Sequence, residues 1–208
     1  MGILSGIQRF HSAGQGPSET DVEKYGRPAC TLYTELNPGD LRQKIEIKDE
    51  QGQTLYYTKS SVFALKGKTD IFDASGAPVA HLEKKPVSLH EKHYITMADG
   101  QKFTMSNELF HVVRDITNIE GLGWKLQGNV IGLNFMLFDQ DGEAIAAIGQ
   151  KMISIHNRCS IDLYQPKHEK IVVAIVIQLQ KMLTARRENK SLSIADGGEE
   201  TVINDFYK

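Results

Sequence analysis

Residues 171–183 of the chain read IVVAIVIQLQKML, and every position from Ile171 to Ile177 is apolar. The many β-branched residues of this run favour a strand. Its surroundings favour a helix, because no Gly or Pro occurs between residues 168 and 187, Pro166 stands just ahead and Glu169 falls in the first turn. The sequence therefore predicts a helix over about residues 168–187, with a strand as the alternative.

This apolar segment has the wrong composition for a membrane span. Gln178, Gln180 and Lys181 interrupt it, so it falls short of the ~20 apolar residues that a bilayer requires. A helix that is apolar on all sides must instead be surrounded by protein. The interior of a β-barrel would cover every face. Burying about ten such side chains, at roughly 1.5–3 kcal/mol each, would make this helix the main source of stability.

The chain between Ala29 and Leu163 carries the pattern of antiparallel strands. Short segments alternate between apolar and polar residues, which places one set of side chains on a buried face and the other in solvent. We therefore predict half-buried strands at such segments, for example residues 44–48, 69–72, 94–97 and 159–163.

Turns of the form Asp-x-x-Gly separate these segments. Asp caps such a turn and Gly supplies the positive φ, so each turn predicts a hairpin loop. They occur at Asp49–Gly52, Asp73–Gly76 and Asp139–Gly142, with Asp99–Gly100 as a shorter relative. The strand pair after the turn also recurs at least three times. Closure of the sheet fits better than a solenoid because it removes exposed strand edges, with non-repeating strands predicted near Phe110–Ile116 and Trp124–Gly128.

The composition sets broad limits. The 208-residue chain contains 40% hydrophobic and 24% charged residues, which indicates a globular protein. Its 24 Lys and Arg against 26 Asp and Glu argue against a nucleic-acid partner. Cys30 and Cys159 are the only cysteines, so a disulfide scaffold is excluded and a cytoplasmic location is expected. The polar ends predict a flexible N-terminal arm, residues 1–28, and a flexible C-terminal tail, residues 188–208.

The arrangement of these motifs resembles the LURP-one-related family. The resemblance implies the fold shared with the C-terminal domain of tubby proteins and, more distantly, with phospholipid scramblases. That fold is mainly β, with a closed antiparallel barrel of about twelve strands that encloses a hydrophobic C-terminal α-helix. The domain would cover residues 29–187. The motifs that carry the resemblance are the Asp-x-x-Gly turns, the Lys-x-x-Ser-Leu-like strand pairs, Trp124-x-x-x-Gly128 followed by Gly132-Leu133, and Ile171–Leu183.

The resemblance also implies classes of function. Tubby domains bind phosphoinositide headgroups through a cationic pocket, and scramblases act at membranes with calcium. The resemblance gives no position-by-position match for the tubby headgroup residues, so none is carried over. A likeness of fold does not by itself assign an activity.

The sequence predicts no metal site and no cofactor. His90 and His93 are three residues apart, a spacing that puts both on one face only in a helix, and this segment is predicted as strand and turn. Asp139–Glu143 offers several oxygens but lacks the distal Glu of a calcium loop. The chain contains neither a Gly-x-Ser-x-Gly elbow nor a phosphate-binding glycine loop. We therefore assign no catalytic residue.

Basic residues recur in the tight turns between paired strands. Gathered at one end of a barrel, they would form a cationic rim suited to phosphate headgroups or another anion. The alternative is that these side chains only solvate exposed turns, and acidic neighbours such as Asp70 and Glu91 would weaken the field. The predicted rim residues are Lys66 and Lys68, His90 and Lys92, and His156 and Arg158.

Three functions remain open from the sequence. The favoured one is a non-catalytic binding or scaffold module for a protein partner or an anionic ligand such as a phospholipid headgroup, peripheral at a membrane in the lipid case. The second is an enzyme of unrecognised type with a site built from turn residues, which a pocket holding two or more convergent polar residues, among them His81, His111 or Asp115, would favour. The third is a scramblase-like membrane-associated protein in which residues 171–183 leave the core.

Overall fold

The structure, a computed structural model, describes residues 24–35, 44–60, 67–85, 92–106, 116–129, 133–153 and 156–195. This part of the chain forms twelve β-strands followed by a long helix. The strands are β1 (Cys30–Glu35), β2 (Glu46–Lys48), β3 (Thr54–Ser60), β4 (Lys68–Asp73), β5 (Pro78–Lys85), β6 (Lys92–Met97), β7 (Lys102–Ser106), β8 (Ile116–Ile119), β9 (Trp124–Asn129), β10 (Asn134–Phe138), β11 (Ala144–Ile153) and β12 (His156–Leu163). A 3-10 helix at Pro166–His168 leads into α1 (Glu169–Ala195).

The strands form one antiparallel sheet that curls into a nearly closed barrel. Consecutive strands pair within β1–β7 and within β8–β12, and β1 also pairs with β12. The barrel closes at the seam between β7 and β8. There the backbone N–H of Thr104 donates a 2.9 Å hydrogen bond to the carbonyl oxygen of Glu120. The twelve-stranded barrel expected from the family resemblance is confirmed.

The Asp-x-x-Gly turns form the predicted hairpin loops. Between β4 and β5, the Asp73 carboxylate accepts hydrogen bonds from the backbone N–H groups of Ser75 and Ala77, at 2.9 and 3.0 Å, and from the Ser75 hydroxyl. These bonds, the hydroxyl first, hold the pKa of Asp73 below its usual value. Asp139 accepts the same two backbone bonds between β10 and β11, at 3.0 and 2.9 Å. The sequence repeat is therefore also a repeat of turn geometry.

Helix α1 fills the barrel. Every side chain from Val172 to Gln180 is buried, with exposed fractions between 0 and 7%. These residues share one hydrophobic core with side chains from all twelve strands. Along the strands, inward and outward positions alternate, as in β4, where Thr69 and Ile71 are buried and Lys68 and Asp70 are exposed. The predicted enclosed helix is confirmed, and the strand alternative is wrong.

The helix is longer than predicted. It continues past the expected end at residue 187 to Ala195. The polar composition of residues 188–195 suggested a tail, but this stretch contains no Gly or Pro, and the first glycine after it is Gly197. Residues 196–208 lie outside the described residues.

Two other predictions fall partly outside the described residues. Of the predicted N-terminal arm, only residues 24–28 are described, and there the Tyr25 ring packs 6.0 Å from Phe138 and 6.3 Å from Tyr164, centroid to centroid. Of the strand predicted near Phe110–Ile116, only Ile116 is described, as the first residue of β8.

Candidate functional site

The barrel has two ends with different connections. Because neighbouring strands are antiparallel, the connections alternate between the ends. We call one the turn end, which carries the connections at residues 49–53, 73–77, 98–101, 120–123 and 139–143 and the link from β12 to α1. We call the other the rim end, which carries the connections that follow β1, β3, β5, β7, β9 and β11. The three basic turns predicted from the sequence all belong to the rim end.

Charge differs between these two ends. The five turn-end hairpin connections hold no Lys or Arg, and their carboxylates are Asp49, Glu50, Asp73, Asp99, Glu120, Asp139, Asp141 and Glu143. A window of two positions around each strand terminus gives the same contrast. At the turn end, its basic residues are Lys48, Lys102 and Lys125, and its acidic residues are Asp49, Glu50, Asp73, Asp99, Glu120, Asp139, Glu143 and Asp162. At the rim end, the described residues of this window are more basic. The basic ones are Lys44, Lys59, Lys68, Lys84, Lys85, Lys92, Lys151 and Arg158, and the acidic ones are Glu35, Glu46, Asp70 and Glu83. Basic residues therefore outnumber acidic ones at the rim end.

Two of the predicted rim lysines lie on the outer wall and form ion pairs. Lys68 Nζ is 3.2 Å from Glu83 Oε1 on the neighbouring strand. Lys92 Nζ is 3.3 Å from Glu120 Oε2. Strands β7 and β8 are offset at the seam, where Thr104 in the middle of β7 bridges to Glu120, so this carboxylate from a turn-end connection reaches a rim-end lysine. Both pairs are largely solvent-exposed, and such pairs are weak and exchangeable. A carboxylate therefore offsets part of the charge of Lys68 and Lys92.

Of the other four predicted rim residues, the structure gives a strand position for two. His156 and Arg158 occupy the first part of β12, opposite Ile153 and Lys151 in the register with β11. Lys66 and His90 lie outside the described residues. The cationic rim built from all six stays a prediction.

Sequence reasoning missed a cluster of lysines and aromatic rings on the outer wall. Tyr57 and Phe72 stack across β3 and β4 with 5.8 Å between ring centroids. Lys59 Nζ lies 4.7 Å from the centroid of Phe72, and Lys44 Nζ lies 4.6 Å from that of Tyr57. A lysine over an aromatic face makes a cation–π contact, which orders the ammonium group without neutralising it. Lys44 is also paired with Glu46, with 2.8 Å between Nζ and Oε1. The alternation Tyr57-Thr58-Lys59 was the available signal, because it sends both outer side chains to the same face.

The inner wall at the rim end is more polar than the rest of the core. Near the rim end of β1, Thr34 Oγ1 accepts a 3.3 Å hydrogen bond from Gln180 Nε2 of α1. Lys84 lies on the same face of β5 as buried Leu82, and in the register it is opposite His93 of β6, which is also buried. Lys181 follows Gln180, and burial lowers the pKa of its ammonium group. No pattern in the sequence indicated that basic residues occupy inward positions at this end of the barrel.

The turn end fixes the start of α1. Tyr56 Oη donates a 2.5 Å hydrogen bond to Glu169 Oε1. Gln165 Nε2 donates to Asp139 Oδ2 at 3.1 Å and to the Ala144 carbonyl oxygen at 3.2 Å. These contacts tie the first turn of α1 to β3, and the segment ahead of it to the β10–β11 hairpin. Glu169, Gln165 and Asp139 therefore have structural partners.

Of the residues weighed for an enzymatic site, the structure describes only His81. His81 Nδ1 lies 2.6 Å from Asp70 Oδ1 on the outer wall, where both side chains are partly exposed. His111 and Asp115 lie outside the described residues. Within the described ranges, no three His, Cys, Asp or Glu side chains are grouped so that they could hold a metal ion. None of the helices in these ranges combines the length and the hydropathy of a membrane-spanning segment.

Comparisons with known proteins agree on the fold. A family model described as LURP-one-related matches residues 31–180. A protein from Arabidopsis thaliana whose X-ray structure is known superposes with a TM-score of 0.53 at 15% sequence identity, over 76% of this chain and 94% of that one. At this identity the likeness shows the fold alone. The search of curated proteins found no match.

Proposed function

The chain belongs to the LURP-one-related family, and we propose that it works as a non-catalytic binding module whose rim end recognises the phosphate of an anionic phospholipid headgroup. The separation of charge between the two ends carries this proposal. Carboxylates fill the turn-end connections, while lysines and an arginine crowd the strand termini at the rim end. An anion is therefore repelled from one end and attracted to the other.

The geometry of the core supports a site at the end of the barrel. Residues 172–180 occupy the lumen, so a ligand has no deep interior cavity to enter along that stretch. A scramblase-like role would require residues 171–183 to leave the core and enter a lipid bilayer. The apolar side chains of this segment instead share one hydrophobic core with side chains from all twelve strands. We therefore propose peripheral attachment at the cytoplasmic face of a membrane, driven by charge, which adds about 1 kcal/mol per Lys or Arg near an anionic surface.

Vesicle co-sedimentation tests this function. The wild-type protein is expected to bind phosphatidylcholine vesicles that contain phosphatidic acid and to ignore pure phosphatidylcholine. Binding should weaken as salt rises, because exposed charges separated by more than a Debye length of ~8 Å at physiological ionic strength are screened. The triple variant Lys66→Glu, Lys68→Glu, Arg158→Glu should lose binding. Lys92 is left intact because its pair with Glu120 spans the seam.

A matched variant controls for net charge. Lys102, Lys125 and Lys167 are exposed lysines near the turn end, and changing all three to Glu alters the total charge by the same amount. This control should bind acidic vesicles almost as wild type does. Equal losses in both triple variants, or a wild type that does not distinguish acidic from neutral vesicles, would refute the proposal. A protein that binds only a protein partner would likewise not distinguish acidic from neutral vesicles.

A further inference from the structure

One cation at the rim end has no partner charge within the described chain. Lys181 lies within the helix segment Val172–Leu183, whose other side chains are buried, and is itself only partly exposed. Burial lowers the pKa of its ammonium group, and no carboxylate of the described residues opposes that effect. Burying an ammonium group without an opposite charge destabilises a folded protein. Lys181 is only partly buried, so the loss of water around its ammonium group costs the unliganded chain less than full burial would, and an apolar residue would avoid that cost.

Two more basic side chains take inward positions at the same end. Lys84 continues the lumen face of β5 beyond Leu82, and His93 is its register neighbour on β6. Helix α1 packs against β5. These residues belong to the inner wall, whereas Lys68 and Lys92 belong to the outer wall. The inner wall thus offers a second set of cations, apart from the predicted rim.

We propose that Lys181 is the deep anchor of the anionic ligand, and that a multiply charged phosphate group enters the mouth of the lumen beside α1, with Lys84 and His93 on the surrounding wall. This inference rests on the proposed function and goes beyond it. In this proposal, the main contact with the phosphate is made by Lys181 at the opening of the barrel and not by the predicted rim residues on the outer wall. A ligand that binds only the folded state then stabilises it by offsetting the buried charge.

The variant Lys181→Met separates a binding role from a structural one. Met keeps an unbranched apolar stem and removes the charge. If Lys181 serves the ligand, the unliganded variant should melt about 2–4 °C higher than wild type, as expected for a gain near 1 kcal/mol in a chain of this size. Its affinity for sodium tripolyphosphate, measured by thermal shift and calorimetry, should fall about tenfold or more, the loss of one charge-assisted hydrogen bond. Lys102→Met, at an exposed turn-end position, should change neither quantity.

The same variants in two assays identify the source of the phosphate. Tripolyphosphate reports a soluble ligand, and vesicles of phosphatidylcholine with phosphatidic acid report a lipid headgroup. If Lys181→Met loses affinity in both assays, Lys181 recognises the phosphate that the two ligands share. If it loses affinity for the vesicles alone, Lys181 recognises the lipid headgroup.

The experiments distinguish failure of the proposed role of Lys181 from failure of the proposed function of the rim end. Unchanged affinity of Lys181→Met in both assays, or a lower melting temperature of the unliganded variant, overturns the anchor. If the triple variant Lys66→Glu, Lys68→Glu, Arg158→Glu still loses vesicle binding in that case, the proposed function stands without it. A wild type that binds neither tripolyphosphate nor acidic vesicles overturns both.

Discussion

The hydroxyl of Tyr56 donates a 2.5 Å hydrogen bond to the carboxylate of Glu169, and this bond joins the wall of the barrel to the first turn of the helix inside it. Tyr56 is a buried member of the hydrophobic core. A carboxylate in the first turn also interacts favourably with the positive end of the helix dipole. This bond therefore fastens the start of the helix to the barrel wall at the turn end, as the bond between Gln180 and Thr34 does near the rim end.

Removing the Tyr56 hydroxyl should destabilise the protein without changing its fold. Tyr56→Phe is expected to lower the free energy of unfolding by about 1–3 kcal/mol, because a buried hydrogen bond to a charged group is lost. Chemical denaturation measures this change. In a double-mutant cycle with Glu169→Gln, the double variant should lose less than the sum of the two single losses. Additive losses would contradict a direct coupling of the two side chains.

Alkaline pH should weaken the protein through the same residue. Burial first, and then the bond to Glu169, raises the pKa of Tyr56 above its usual value of ~10. Above about pH 10, the unfolded chain loses this proton while the folded chain keeps it, so stability falls as pH rises. Denaturation curves between pH 8 and 11 should show a steeper fall for wild type than for Tyr56→Phe. Parallel pH profiles would show that the phenol is not the responsible group.

The sequence predicts the core of this protein better than its surface. The run Ile171–Ile177 has no polar face, so it had to be enclosed, and the Asp-x-x-Gly turns specify hairpins through local chemistry alone. The partners of Lys68 and Lys92 depend on strand register and on the seam, which link residues far apart in sequence. The burial of Lys181 depends on how far the strands extend along the helix. No local pattern in a single sequence specifies that distance.

Trp124 should act as a local probe of the helix start. It is the only tryptophan, and its ring lies 4.9 Å from that of His168, centroid to centroid, in an edge-on arrangement. Burial, followed by the nearby charge of Lys167, lowers the pKa of His168. Because a protonated imidazole quenches indole fluorescence, emission should drop on acidification with a midpoint below the ordinary His value of ~6.5.

The variant His168→Gln controls this titration. It should show no fluorescence transition in that pH range. The wild-type histidine favours the neutral form when folded, so its contribution to stability is present at neutral pH and is lost as pH falls through the folded pKa. A midpoint at or above the ordinary value would mean that the imidazole is solvated in the native protein.

The buried polar pair at the rim end should behave as a unit. Gln180 Nε2 donates to Thr34 Oγ1 at 3.3 Å, and both residues are buried. Thr34→Val or Gln180→Leu alone leaves one polar group unsatisfied, so each should cost about 1–3 kcal/mol of stability. The double variant should cost clearly less than the sum, because both polar groups are then replaced by apolar ones. Urea denaturation of the four proteins tests this, and strict additivity would rule out the coupling.

Closure of the barrel should depend on Gly121, which lies beside the seam. Its φ is +93°, and a Cβ atom there would lie 2.8 Å from the carbonyl oxygen of Lys102 and 3.1 Å from the Cα of Phe103. Gly142, in a hairpin loop, has a similar φ of +85°, but a Cβ there meets nothing within 4 Å. Both Ala variants share the cost of a left-handed backbone, about 1–2 kcal/mol. Only Gly121→Ala must also push β7 away from the seam, which adds about 1–3 kcal/mol.

Hydrogen exchange should therefore speed up at the Thr104 amide in Gly121→Ala and stay unchanged in Gly142→Ala. Equal exchange in the two variants would mean that the bridge between Thr104 and Glu120 does not depend on this close approach.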